Sequence, residues 1–383
     1  MSTPSSANLT TAFTGVGPTS PSELTSPSEF AGLTDAQSGS GALSTDVWVT
    51  PEDGSLAGPL AATVDVSDLR PVGIEWPTVG VAFGVYGGTV AVTVFHNVLG
   101  PVATVALLAL LGCWFLSLQH ECLHGHPFRS RRLNHLLAWP PLSFWLPFAV
   151  YRDSHLTHHR NAMLTEPGID PESNYFKGSA WIALLPFQRM VFRGNQTLLG
   201  RMAFRPAQGM WRTAMAIPGE LRSARWRKIW AAHALGSLAL VVALRWYAHL
   251  PLWQYFLGFV YGGASLAAVR AYAEHQWVGG TKARSATVHA SMFWRVLFLN
   301  NNYHYAHHLR PSLSWFKVPE LSARVQADSV SADGAGFYSG YGEVFKRFLL
   351  KPVIPMIHPE YPSAVPCCTA APNCNCGRDL VFP

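Results

Sequence analysis

Uncharged apolar runs alternate along this chain with long polar and basic stretches. The segment "VGVAFGVYGGTVAVTVF", Val79 to Phe95, carries no charge, and after His96 and Asn97 a second apolar run extends from Pro101 to Leu118. A second pair runs from about Ile229 to Trp246 and from Leu252 to Ala271, joined by "YAHLP". Crossing the hydrocarbon core takes about 20 apolar residues, so the pattern predicts four spanning helices, and the short links predict two hairpins. Two further stretches, "HLLAWPPLSFWLPFAVY" and "WIALLPFQRMVF", are broken by Pro or charge and read as interfacial or re-entrant elements. Residues 1–68 are rich in Ser, Thr, Pro and Gly with little apolar periodicity, which predicts a disordered arm. Residues 69–350 then form the membrane domain, and 351–383 a Pro- and Cys-rich tail.

Composition agrees with a membrane protein: 13% of residues are charged, 49% are hydrophobic, and there are 14 tryptophans, a residue that gathers at bilayer interfaces. Charge is unevenly spread. The first 69 residues hold eight acidic residues and no Lys or Arg, while the segment 119–228 carries fifteen Lys and Arg. The links at 96–101 and 246–252 carry none, so the positive-inside rule places the long segment, and with it both termini, in the cytoplasm. Basic residues interleaved with Trp and Phe, as in "LRSARWRKIW", suit a headgroup surface, and the chain carries no nucleic-acid motif. The six cysteines form no disulfide framework, which fits a reducing side. The opening residues lack the pattern of a signal peptide, so insertion is expected to rely on the internal spans.

Histidines supply the candidate chemistry. His120 and His124 in "QHECLHGHP" lie one helical turn apart at the end of the second run. His155, His158 and His159 in "DSHLTHHRN" follow the spacing i, i+3, i+4, and His304, His307 and His308 in "NNNYHYAHHLRP" repeat it. With 16 histidines in 383 residues, the template H-x-x-H-H is expected by chance about 0.03 times, and the chain has it twice. A trio at this spacing is expected to aim its rings at one spot from a rigid helix. Clusters gathered on one membrane face imply a multi-metal site, since imidazole is the usual protein ligand for Zn, Cu, Fe and Ni. A metal-binding or transport protein is the competing class, but a transport route would place ionisable groups at mid-span.

The motifs "HECLH", "HLTHH" and "HYAHH", in this order and with a pair of spans between the second and third, resemble the three histidine boxes of the membrane fatty acid desaturase family, which includes related hydroxylases. The resemblance covers about residues 80–325. The spans and the charge bias predict an all-α membrane fold, with four transmembrane helices under a cytoplasmic helical cap, and the resemblance implies a di-iron site held in that cap. It further implies two Fe2+ ions, O2 as co-substrate, a lipid or acyl-chain substrate, and a separate electron donor of ferredoxin or cytochrome type. His275 in "AEHQW" joins the boxes as an extra ligand by the same resemblance, giving nine: His120, His124, His155, His158, His159, His275, His304, His307 and His308. Desaturation is the expected reaction and hydroxylation the alternative. The family's acyl-CoA desaturases carry an Asn four residues before the extra histidine, where this chain has Ala271, while Asn300, Asn301 and Asn302 stand just before the third box.

Ligating imidazoles usually donate their second N–H to a carboxylate or carbonyl. The candidates for that role are Glu121, Asp153, Glu166, Asp170, Glu172 and Glu274, with Asn301 and Asn302 as amide partners, and "DPES" at 170–173 is favoured for its closeness to the second box. His126 lies past the expected helix end, behind Gly125 and before Pro127, and is left outside the ligand set. The isolated His96, His135, His233, His249, His289 and His358 read as structural.

Overall fold

A computed structural model describes residues 67–69, 73–161, 163–280 and 282–362. Nearly all of the expected N-terminal arm and the four tail cysteines lie outside the described residues. The described chain is mostly helical, and four helices are long and apolar enough to cross a membrane: α1 (Trp76–Val94), α2 (His96–Leu123), α8 (Ala224–Tyr247) and α9 (Leu252–Ala271). They mark the chain as an integral membrane protein. Between α2 and α8 lie α3 (Arg131–Ala138), α4 (Phe148–Arg160), α5 (Gly178–Ala183), α6 (Pro186–Asn195) and α7 (Leu198–Glu220). After α9 come α10 (Met292–Leu297), α11 (His304–Leu309), α12 (Val318–Arg324), α13 (Ala327–Asp333) and α14 (Tyr341–Phe348). Two short strands, β1 (Thr287–Val288) and β2 (Phe337–Tyr338), pair in parallel and tie the segment before the third box to the segment before α14.

Two features of α2 place the site. The chain turns at Gly100, whose φ of 74° suits a residue without a Cβ, and Pro101 then opens the regular helix. That helix continues past Leu118 to Leu123, so His120 rides on its last turn and His124 caps it, with Gly125 behind it at φ 104°. Helices α1 and α9 both pack on α2. The contact with α9 is close because small residues face each other: Gly112 meets the Phe259 backbone, and Gly258 meets Val105 and Leu108. Phe115, Leu118, Tyr255 and Phe259 fill the core below the site. Helix α9 widens to a π-helical turn over Phe256–Gly262.

Neither of the two broken apolar stretches forms a helix long and apolar enough to cross a membrane. The first passes from α3 through an irregular segment into α4, and the second forms α5 and α6, which leave Ile182, Leu185, Phe187 and Met190 exposed. Helix α7 likewise exposes Leu199, Phe204, Trp211 and Met215. Residues 351–362 pack on the body: Ile357 bridges to Phe176, and His358 is fully buried.

Candidate metal centre

Helix α2 delivers His120 and His124, α4 delivers His155, His158 and His159, and α11 delivers His304, His307 and His308. His275 comes from the irregular chain after α9, where it bridges to Ser285. All nine meet in two abutting groups. His120, His124, His155, His159 and His307 form one, and His158, His275, His304 and His308 the other; within each group the nearest ring nitrogens lie within 4.8 Å of one another. Neither trio aims at a single spot. His155 and His159 join the first group and His158 the second, while His304 and His308 join the second and His307 the first. The reason is helical phase: successive residues turn by about 100°, so i+4 lies about 40° to one side of i and i+3 about 60° to the other. The second and third boxes therefore each serve both groups, while the first box serves the five-ring group alone, and His159 stacks on His308 across the divide at 4.2 Å between ring centroids.

Carboxylates and carbonyls fix the ring orientations from outside. The Nδ1–H of His158 donates to Asp170 Oδ1 at 2.8 Å and that of His155 to Glu172 Oε1 at 2.7 Å. His304 Nδ1 donates to Asn301 Oδ1 at 3.1 Å, with Glu274 Oε1 at 3.5 Å, and His275 Nδ1 faces the Arg284 carbonyl at 3.2 Å. Glu121 Oε1 lies 3.4 Å from His120 Nδ1, and its other oxygen accepts the Trp315 backbone N–H at 3.2 Å. The side chain of Asn301 reaches both groups, since its Nδ2 lies 3.4 Å from His120 Nε2.

In His155, His158, His275 and His304 the Nδ1 partners favour a proton on that atom, which leaves Nε2 bare in the neutral ring, and the Nε2 atoms of the site point at one another. The Nε2 of His275 lies 3.1 Å from that of His158 and 2.9 Å from that of His304, which is 3.1 Å from that of His308. In the five-ring group the Nε2 of His159 lies 3.0 Å from that of His155 and 3.2 Å from that of His307. The buried Nε2 of His124 has no hydrogen-bond partner among the described residues. Where both nitrogens of such a pair are bare they repel, and a cation among them relieves that repulsion, so the donor set fits metal ions.

Electrostatics point the same way. Burial, and then the neighbouring imidazoles, hold His124, His159, His304, His307 and His308 well below the ordinary histidine range. Burial also lowers His155, and with His158 it brings His275 down to about 3. His158 is the exception: burial opposes its charge, but Glu172 and Asp170 raise it to about 9.

Other expected partners lie elsewhere. Asp153 pairs with Arg152 and Arg225, both at 2.7 Å, and Glu166 bonds the Tyr361 hydroxyl. Asn302 Nδ2 donates to the Val288 carbonyl at 2.7 Å. His126 turns from the rings and donates from Nδ1 to Glu75 Oε1 at 2.7 Å, an oxygen that also accepts from Ser314. Leu299 and Asn300 take left-handed conformations just before the third box, and Asn300 braces that turn by donating to the Trp315 carbonyl. The backbone partners Arg284 and Trp315 have no signal in the sequence, because every residue carries those groups.

The family model for fatty acid desaturases matches residues 97–338, well over half of the chain and all three boxes. The chain belongs to the fatty acid desaturase family and is thereby an oxidoreductase of lipid-modifying type. No individually curated protein matches the sequence.

Proposed function

We propose that the protein is a di-iron, O2-dependent lipid desaturase that introduces a double bond into an alkyl chain. The observation that carries this reading is the convergence of bare imidazole nitrogens in two abutting groups at the end of a spanning helix. His120, His124, His155, His159 and His307 would hold one iron, and His158, His275, His304 and His308 the other. Neutral imidazoles suit iron and leave its positive charge uncancelled. When bound, the irons supply the oxidising power, drawn from O2, that an unactivated C–H bond requires.

The chain's own residues prepare that centre. Asp170, Glu172 and Asn301 keep His158, His155 and His304 in the Nδ1–H form, so that their Nε2 atoms stay available. Burial of the rings excludes water. Removing two hydrogens from the substrate and reducing O2 to two waters takes two electrons from elsewhere, so a separate ferredoxin- or cytochrome-type donor completes the reaction. The Lys and Arg bias of the long segment supports a cytoplasmic site, hairpin pairing of the spans and access for that donor.

Desaturation is favoured over hydroxylation because the Asn301 amide stands at a metal-facing nitrogen, 3.4 Å from His120 Nε2, and narrows that space. Ala271 is the observation on the hydroxylase side, since a methyl group there offers no donor. Turnover under isotopically labelled O2 decides: a lipid product two mass units lighter and free of label is expected, and a product that retains one labelled oxygen would make the enzyme a hydroxylase. Metal analysis should give about two irons per chain, and a protein holding only zinc would end the di-iron reading.

A further inference from the structure

The two histidine groups are unequal, five rings against four. Most of the surrounding carboxylates engage outward nitrogens. Asp170 Oδ1 accepts from His158 Nδ1, and its Oδ2 accepts the Thr165 N–H at 2.8 Å. Glu274 Oε1 lies between Arg270 Nε at 3.3 Å and His304 Nδ1 at 3.5 Å. Glu172 differs. Its Oε1 accepts from His155, a member of the five-ring group, and this turns Oε2 toward the four-ring group, 4.0 Å from His158 Nε2. That nitrogen faces inward, 3.1 Å from His275 Nε2.

We propose that Glu172 is itself a metal ligand. Its Oε1 orients His155 for the five-histidine group, while its Oε2 donates to the metal ion of the four-histidine group and evens the two donor sets. Donors that share one ion at bonds of about 2.0–2.2 Å lie at most about 4.2 Å apart, and the separation from His158 Nε2, one of the four ring donors, is 4.0 Å and falls inside that limit. The backbone holds the carboxylate in place, because the Glu172 N–H donates to Asp170 Oδ1 at 2.8 Å. One side chain thus ties the two ions together, and its charge makes them electronically different: one has imidazoles alone, the other imidazoles and an anion. This assignment rests on reading the two groups as metal sites.

Full-length protein, stripped of metal and titrated anaerobically with Co2+, tests it through the visible spectrum. Wild type is expected to bind two equivalents. His308→Ala supplies the spectrum of the five-histidine site alone, and His124→Ala that of the four-histidine site alone. Glu172→Gln keeps an amide oxygen for the His155 N–H, and its side chain is partly exposed, at 33%, so the fold is spared. This variant should bind one equivalent normally with the His308→Ala spectrum, and the other at least tenfold more weakly. Glu172→Ala, which removes both interactions, should weaken both equivalents. If Glu172→Gln binds both ions as wild type does, or if the site it retains gives the His124→Ala spectrum, Glu172 acts only through His155 and the proposal is wrong. The readout needs no turnover: a protein that binds both ions and oxidises no lipid fails the proposed reaction and leaves the ligand assignment standing.

Discussion

Gly112 in α2 lies so close to Phe259 in α9 that a methyl group on it would come within 2.1 Å of the Phe259 carbonyl oxygen. The obstacle is backbone and cannot rotate away. Gly112→Ala should therefore push the two spans apart and cost about 1–3 kcal/mol, the usual range for overpacking, with a lower midpoint for thermal unfolding in detergent. Gly87→Ala, where nothing lies within 4 Å, is the control and should unfold no lower than wild type, since Ala favours the helix over Gly. Equal midpoints for the two variants would show that the spans do not pack this closely.

Two neighbouring aspartates should behave differently. Asp170→Asn removes the charge that accepts the His158 N–H, and loss of such a partner typically costs 10–100-fold in metal affinity. Asp153→Asn touches only Arg152 and Arg225 and should leave iron affinity unchanged. Iron competition with a chelator measures both, and a loss at Asp153 as large as that at Asp170 would contradict the placement of the second box.

His126→Ala should keep its iron and lose stability. The ring partners Glu75, so its removal leaves a buried carboxylate short of one donor, at about 1–3 kcal/mol. Iron content and unfolding midpoint, read on one preparation, separate the two effects. Loss of iron with an unchanged midpoint would move His126 into the ligand set.

Orientation is open to cysteine labelling in a background from which the native cysteines are removed. Ser223→Cys and Ser339→Cys, both exposed, should react only with reagents that reach the cytoplasm. Tyr247→Cys at the far end of α8, a position 83% exposed, should react only from the other side. The reverse pattern would overturn the orientation drawn from Lys and Arg.

The spans and boxes were legible because both are written locally: uncharged runs of near-bilayer length, and imidazoles at helical spacing. Leu252–Ala271 falls where the apolar run predicts. The end of α2 does not, since hydropathy fades at Leu118 while the helix continues to Leu123, held by buried partners such as Asn301 and Trp315 that come from far along the chain. The sharing of the second and third boxes between two groups was also hidden, because a spacing rule describes one helix and the division depends on how three helices face each other. Among the acidic candidates, Asp153 and Glu172 look alike in sequence. Arg225 claims one and His155 the other, and only the fold decides which.

Helix α2 also acts as a ruler. From Pro101 to His120 the chain makes 120 − 101 = 19 steps, which at about 1.5 Å each come to roughly 29 Å, close to the roughly 30 Å of a bilayer's hydrocarbon. A helix of that length fits a first box placed where acyl chains give way to headgroups, with the residue count setting its height along the span. One extra turn in α2 would carry His120 and His124 about 5.4 Å out of step with boxes whose height is set by α4 and α11. The length of this one helix thus sets how the first box meets the other two and, on the proposed function, how far a lipid chain must rise to reach them.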